Sequence, residues 1–208
     1  MISALLLSYL LGAIPFGVLI GKMRGVDIRT LGSGNSGATN AWRTLGPLAG
    51  TTVFALDVIK GLAAPFIARV LVGPHEYWAI AICALLAVIG HTYSCFLKFK
   101  GGKGIATGLG AAFGLMPIPA LLALAMWGGV LLVSRMISVA SIVACVALPL
   151  LALIYHAPPP FVAVVGIISL VAILKHIPNM QRIAEGTEPK IAIGKKHKST
   201  LIAPESQP

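Results

Sequence analysis

Charge is what this sequence has least of. Only 11% of its 208 residues are Asp, Glu, Lys or Arg, against roughly a quarter in an ordinary soluble domain, which excludes a water-exposed globular surface for most of the chain. Acidic residues are scarcest, six against 16 Lys and Arg. Cysteine is scarce as well. Cys83, Cys95 and Cys145 lie in apolar stretches with no Cys-x-x-Cys spacing and no His at ligand spacing, so a disulfide framework and a zinc site are excluded and the three read as small core residues. The first apolar run also lacks a positive n-region and a small-residue cleavage site, its cations Lys22 and Arg24 coming after it. It is expected to stay in the membrane rather than be removed as a signal peptide.

What is abundant is apolar surface: 57% of residues are hydrophobic and the mean hydropathy is +0.92. Apolar runs near 2 to 21, 47 to 72, 77 to 96, 104 to 116, 118 to 133, 139 to 155 and 161 to 175 predict seven membrane helices. Gly46-Pro47, Gly73-Pro74, Gly101-Gly102, Met116-Pro117 and Pro158-Pro159-Pro160 punctuate them, with Ser134-Arg135 a short polar break. The fourth run, 13 residues long, covers only ~20 Å of a hydrocarbon core ~30 Å thick, so it is expected to begin inside the protein. Seven alternating spans with the N-terminus outside place Lys22, Arg24, Arg29, Arg43, Lys98, Lys100, Lys103, Arg135, Lys175, Arg182, Lys190, Lys195, Lys196 and Lys198 on the inner side, 14 of the 16 cations. The others, Lys60 and Arg69, lie within the second run, and the outer loops hold none. That asymmetry is the positive-inside pattern and puts the C-terminus in the cytoplasm. The expected architecture is therefore an all-α integral membrane protein, a seven-helix bundle over 1–188 with several short helices and re-entrant-like cytoplasmic loops, followed by a flexible basic tail over 189–208 that lies near anionic headgroups. In such a chain the net charge of +10 points to anionic lipid or phosphate-bearing substrates, not nucleic acid.

Three inner segments carry the polar chemistry. In the first, Gly32-Ser33-Gly34-Asn35-Ser36-Gly37-Ala38-Thr39-Asn40 matches Gly-x-Gly-x-x-Gly, with Asp57 twenty residues after Gly37. It is not a dinucleotide fingerprint, because that motif needs a strand before it and a βαβ unit around it. Nor is it a Walker loop, since Ala38-Thr39 stands where Lys-Ser/Thr is required. Two readings remain open: a plain flexible loop, or backbone N–H groups turned into one concavity at the start of a short helix over 38–45, with Arg43 one turn after Thr39. The second segment, Lys98-Phe99-Lys100-Gly101-Gly102-Lys103-Gly104, leads into the short fourth run. Snorkelling lysines account for Lys98 and Lys100, whereas a Lys set between glycines gains no packing and fits an anion site. The third, Ser134 to Ser141, opens the sixth span with Ser138 and Ser141 three apart, and by itself reads as helix capping. His176 and Asn179, also three apart, follow the seventh span, with Pro178 disfavouring helical geometry at Ile177. Spans two, four and six all begin at the inner face, so their N-termini and these segments can converge on one anion pocket. Asp57 and Lys60 read as a structural pair within the second span, and His91 as a buried hydrogen-bonding residue.

Taken together these pieces resemble the bacterial acyl-phosphate:glycerol-3-phosphate acyltransferases, small membrane enzymes that open phospholipid synthesis. The resemblance runs from the first span to about Glu188 and rests on the Gly32 to Asn40 run with Arg43, Leu56-Asp57-x-x-Lys60-Gly61, Gly90-His91-x-Tyr93 continuing to Gly104, Ser138-x-x-Ser141, and His176-x-x-Asn179-x-x-Arg182 with Gly186-x-Glu188. It implies seven helices with a cytoplasmic active site, in a bacterial inner membrane. The implied reaction moves an acyl group from acyl-phosphate to the sn-1 hydroxyl of glycerol 3-phosphate, giving lysophosphatidic acid and inorganic phosphate, without cofactor or metal. Carried over by position, the catalytic residues fall on Ser33, Arg43, Lys103, Ser141, His176 and Asn179. Gly32, Gly34, Asn35, Ser36, Gly37, Ala38, Thr39 and Asn40, with Gly101, Gly102, Gly104 and Ser138, are the implied substrate-binding set. The implied partners are the two substrates, membrane lipid and the enzyme that makes acyl-phosphate, with a monomer compatible with all of this.

The His-x4-Asp motif of other glycerolipid acyltransferases is absent, since no His here has Asp five residues on. Acyl-phosphate makes that tolerable, because phosphate is a good leaving group and the attack then needs positioning and charge neutralisation more than a strong base. The expected mechanism is substrate-assisted: the phosphate of glycerol 3-phosphate takes the proton while Arg43 and Lys103 hold the anions. The main alternative is a transporter or channel for phosphate esters. The lack of a visible internal repeat, and polar residues gathered on one side, weigh against it.

Overall fold

The computed structural model describes residues 1–191, within which ten α-helices form and no strand does. They are α1 Ile2–Ala13, α2 Phe16–Met23, α3 Ala38–Leu45, α4 Pro47–Val72, α5 Tyr77–Thr92, α6 Ile105–Leu115, α7 Pro117–Ser134, α8 Ile137–Ile154, α9 Pro159–Leu174 and α10 Ile177–Ala184. Each of the seven apolar runs is helical, but not each is one helix. The first is broken at Ile14-Pro15 into α1 and α2, whose axes meet at 41°. Pro15 has no N–H to donate and pushes Ile14 to φ −57°, ψ 118°. The carbonyls released by the break find new donors, Ser94 Oγ at 2.6 Å from the Ala13 oxygen and Lys60 Nζ at 2.8 Å from the Ile14 oxygen. By length and composition three segments are able to cross a membrane alone, Tyr77–Leu97, α7 and α8, or five if the bent pairs α1–α2 and α9–α10 (50°) each count as one. Helix α4 is longer, at 26 residues, but carries Asp57, Lys60 and Arg69. Helix α6 has 11 residues, about 17 Å, so the fourth run is indeed too short to span by itself.

Small residues bring the helices close, as expected where apolar surface alone gives no preference between neighbour helix and lipid. In the α4–α6 pair a Cβ on Gly61 would lie 2.0 Å from the Thr107 carbonyl oxygen, and one on Gly110 2.0 Å from that of Val58. In the α1–α5 pair Gly12 and Gly90 do the same against Ala87 and Tyr9, at 2.0 and 2.3 Å. The shared core is rich in alanine, with Ile80, Leu115, Met116, Leu148, Phe161 and Ile168 as its larger members. Arg69 reaches from α4 to donate 2.7 Å to the Gly114 carbonyl at the end of α6, which removes both an orphan charge and an orphan acceptor. Of the cysteines, Cys83 is buried and Cys145 half-buried, but Cys95 is exposed in the short 3-10 turn Cys95–Leu97, where chain reversal lifts it off the core. Most of the expected flexible tail lies outside the described residues. Its first part does not hang free: Ile191 N–H donates 2.8 Å to the Arg135 carbonyl.

Candidate active site

The glycine-rich loop is built around one side chain. Asn40, 2% exposed, donates through Nδ2 to the carbonyls of Ile28, Leu31 and Asn35, each at 3.0 Å, and accepts at Oδ1 from the Ser33 N–H at 2.9 Å. Asn35 Oδ1 accepts from Gly37 N–H at 2.9 Å. Gly32 and Gly34 sit at φ +57° and +69°, and α2 packs so closely on the loop that a Cβ on Gly17 would lie 1.9 Å from the Ser36 carbonyl oxygen. A plain flexible loop is therefore not what forms. Asn40 frames it with both polar ends committed to the main chain, Ser36 is buried, and the Ser33 hydroxyl is left exposed, with no hydrogen bond among the described residues. The short helix expected over 38–45 forms as α3, Gly37 standing before its first residue.

Arg43 projects from α3, half-buried, into the field of Glu188 and Arg182. Burial lowers its pKa and Glu188 opposes that, but a guanidinium keeps its proton throughout. Lys103, at the foot of α6, donates to Asn179 Oδ1. Burial pulls its ammonium down to about 8; Glu188 resists, while Arg182 and Arg43 add to the fall. Asn179 turns its amide the other way, 2.7 Å from Glu188 Oε1, and Arg182 Nε donates 2.8 Å to Oε2. Burial pushes the Glu188 carboxyl up, yet Asn179, Ser138 and Arg182 facing it more than offset that and hold it below the ordinary carboxylate range. One carboxylate thus sits among three cations drawn from α3, the turn before α6 and α10.

The expected Pro178 problem does not arise. The chain restarts its helix at Ile177 with Pro178 in the first turn, where no intrahelical donor is lost, and His176 and Asn179 both end buried. His176 Nδ1 lies 2.7 Å from the Ala172 carbonyl oxygen. A carbonyl only accepts, so Nδ1 carries the hydrogen and Nε2 is left as the acceptor. The capping reading of the third segment fails: the residue before α8 is Met136, no side chain caps it, and Ser138 and Ser141 are buried within the bundle, 3% and 1% exposed. Trp127 Nε1 on α7 donates to Ser141 Oγ at 3.2 Å, which leaves the serine proton free for another acceptor.

The structure thus gathers Arg43, Lys103, Ser138, His176 and Asn179 around Glu188. It adds Arg182 and Glu188 to this cluster, and separately sets Trp127 against Ser141; none of the three is among the site residues expected from the sequence. For the first two the signal was present, their spacing after Asn179. For Trp127 there was none, since only the α7–α8 packing brings it to Ser141. The glycines of the second segment have a packing reason as well: Cβ atoms on Gly101 and Gly102 would lie 2.0 Å from the His91 carbonyl oxygen and 2.1 Å from His91 Nε2. Among the described residues no group of three His, Cys, Asp or Glu is placed to hold a metal ion.

Comparison with known proteins identifies the family. Residues 2–186 match the family model described as glycerol-3-phosphate acyltransferase. The glycerol-3-phosphate acyltransferase of Geobacter sulfurreducens is 44% identical over 181 residues, 87% of this chain and 92% of that protein. That of Geotalea daltonii is 45% identical over the same shares. The crystal structure of PlsY (YgiH), an integral membrane glycerol 3-phosphate acyltransferase, in its glycerol 3-phosphate form, is similar with a TM-score of 0.88 at 38% identity, over 92% of this chain and 95% of that one. Its lysophosphatidic acid form gives a TM-score of 0.86. With the match covering nearly the whole chain, this protein belongs to the glycerol-3-phosphate acyltransferase family.

Proposed function

We propose that this chain transfers an acyl group from acyl-phosphate to the sn-1 hydroxyl of glycerol 3-phosphate at the cytoplasmic face of a bacterial inner membrane. The observation that carries the reading is the convergence of Arg43, Lys103 and Arg182 on one side of the bundle around a single carboxylate. Three cations against one anion leave an excess of positive charge that a phosphate dianion fills. The related PlsY structures with glycerol 3-phosphate and with lysophosphatidic acid supply the substrate and product of that class. The cation distribution supports reading the chain as seven crossings with the C-terminus inside, which would turn this pocket toward the side where soluble phosphate esters are made.

In the proposed reaction the glycerol hydroxyl oxygen attacks the acyl carbonyl carbon. The carbon–oxygen bond to phosphate breaks, and inorganic phosphate leaves. The hydroxyl proton passes to the phosphate of glycerol 3-phosphate itself, which is why no His-carboxylate base is needed. Arg43 and Lys103 neutralise the two phosphates, and the glycine loop from Gly32 offers backbone N–H groups to the acyl-phosphate. Ser33 and Ser141 orient oxygen atoms, and His176 and Asn179 hold glycerol 3-phosphate through Nε2 and the amide. Most of the rate comes from placement and preorganised charge. The test is phosphate release by the purified protein given acyl-phosphate with and without glycerol 3-phosphate, beside an acyl-CoA control. Release dependent on glycerol 3-phosphate with a lysolipid product is expected. Equal turnover with acyl-CoA would remove the acyl-phosphate assignment.

A further inference from the structure

Behind the anion site lies a second constellation that the reaction scheme does not use. Asp57 and Lys60, one turn apart on α4, are each 2% exposed, and their side chains meet at 2.8 Å. Lys60 is otherwise satisfied by the Ile14 carbonyl at 2.8 Å and by the Phe16 ring 5.4 Å beneath it. The same Asp57 oxygen lies 3.5 Å from His91 Nδ1. The opposite edge of that imidazole, at Nε2, presses on Gly102, where even a single added carbon would come within 2.1 Å. The backbone is pinned at the same place: Gly102 N–H donates 3.1 Å to the His91 carbonyl and Gly101 N–H 3.0 Å to that of Thr92. Gly104, at φ +82°, closes the turn against Val88 and Thr92.

We propose that His91, oriented by Asp57, is a positioning residue for Lys103. The imidazole is the surface on which the Gly101-Gly102 turn rests, and the residue that follows the turn is the lysine whose ammonium meets Asn179. A lysine on four flexible carbons is a poor anchor unless the backbone at its root is fixed. Here the root is fixed on one side by α5, through His91 and Thr92, and the ring is held in turn by a carboxylate tied to Lys60. This chain of contacts runs from the break in the first span to the anion pocket. It gives the glycine pair a purpose apart from cradling phosphate: no other residue lets the turn sit on the ring. The inference rests on the reading above that Lys103 holds a substrate anion.

The test is a double-mutant cycle between His91→Ala and Gly102→Ala, with kcat and KM for glycerol 3-phosphate measured on the folded, monodisperse fraction of each purified protein. A residue that serves only folding lowers the active fraction and leaves KM unchanged, whereas a positioning residue moves KM. Each single change is expected to raise KM about tenfold, and the pair about tenfold again rather than the roughly hundredfold of independent effects, because removing the ring removes what the added methyl strikes. A KM increase in the double variant equal to the product of the singles, or an unchanged KM in His91→Ala, would overturn the proposal. If Gly102→Ala does not fold, His91→Gln decides. Its amide still faces Asp57 and fills part of the ring's space, so its KM is expected between wild type and His91→Ala, and a KM no better than that of His91→Ala refutes the role. Wild-type protein that releases no phosphate with glycerol 3-phosphate would overturn the functional reading, and this inference with it. Active wild type with an additive cycle would overturn the inference alone.

Discussion

Replacing Lys103 by Ala separates catalysis from stability. Its ammonium is half-buried, shares Asn179 with Glu188, and faces Arg43 and Arg182. A hydrogen bond to a charged group contributes about 1.5–3 kcal/mol, so loss of the contact to a substrate phosphate is expected to lower kcat/KM by about 10- to 150-fold. Folding should not suffer to match. Burial holds the folded-state pKa at about 8, so the fold disfavours the charged form, and removing the charge removes that cost. The pH dependence follows the same sign. Between pH 8 and the ordinary lysine value the unfolded chain binds more protons than the folded one, so wild-type stability gains from Lys103 as pH rises there, and the Ala variant lacks that gain. Activity moves oppositely, because above pH 8 the free enzyme loses the cation and KM for glycerol 3-phosphate is expected to climb about tenfold per pH unit. Lys103→Arg, always charged, should lose that alkaline limb. The assay is phosphate release across pH 6 to 10, alongside thermal unfolding in detergent. An Ala variant with wild-type kcat/KM, or a Lys103→Arg variant with the same alkaline limb, would refute the reasoning.

Further outcomes follow from the same contacts. Glu188→Gln keeps the shape but removes the counter-charge to three cations. With Arg182 about a third exposed, a loss of about 1–2 kcal/mol is expected in denaturant unfolding at pH 7, shrinking as pH falls and the wild-type carboxylate takes up its proton. Asp57→Ala leaves Lys60 charged and buried without its partner, which costs about 3–5 kcal/mol and should show as a large fall in unfolding temperature; a neutral result would mean that water reaches Lys60. Trp127→Phe removes the donor to Ser141, roughly one net hydrogen bond, and should cost about 1 kcal/mol in denaturant unfolding and lower kcat/KM about fivefold. Gly17→Ala places a carbon 1.9 Å from the Ser36 carbonyl and should push α2 off the glycine loop, reducing activity more than Ala at Gly128, which has open space around it.

The parts of the molecule legible in the sequence are those set by local rules. Apolar runs gave helices, and Gly46-Pro47 and Pro158-Pro159 gave boundaries; Ala38 to Leu45 was legible as a short helix after the glycine loop, although an uncapped octet needs packing to hold it, here against α4, where a Cβ on Gly50 would lie 2.5 Å from Trp42. Asp57 and Lys60 were legible as a pair because they are one turn apart. Pro15 shows the limit. Pro65 and Pro149 lie inside α4 and α8 without ending them, whereas Pro15 ends α1. There the freed carbonyls have Ser94 and Lys60 as new donors, which no local pattern reveals. Ser138 and Ser141 show it again, since their spacing at a helix start fits a cap, and only the packing of α8 against α7 and the arrival of Glu188 turn them inward.

The sequence by itself thus determined an all-helical apolar chain with its polar chemistry in a few short segments between apolar runs, because hydrophobicity, turn chemistry and motif spacing act over a turn or two. Tertiary structure alone decided what those segments do to one another. Lys103 meets Asn179 across 76 residues, Ser94 meets Ala13 across 81, and His91 sits under Gly102 although the pair of glycines reads in sequence as a helix boundary and part of an anion site. Such contacts depend on which helix faces which, and that is fixed by the close approach of small residues in the bundle rather than by any local preference of the chain.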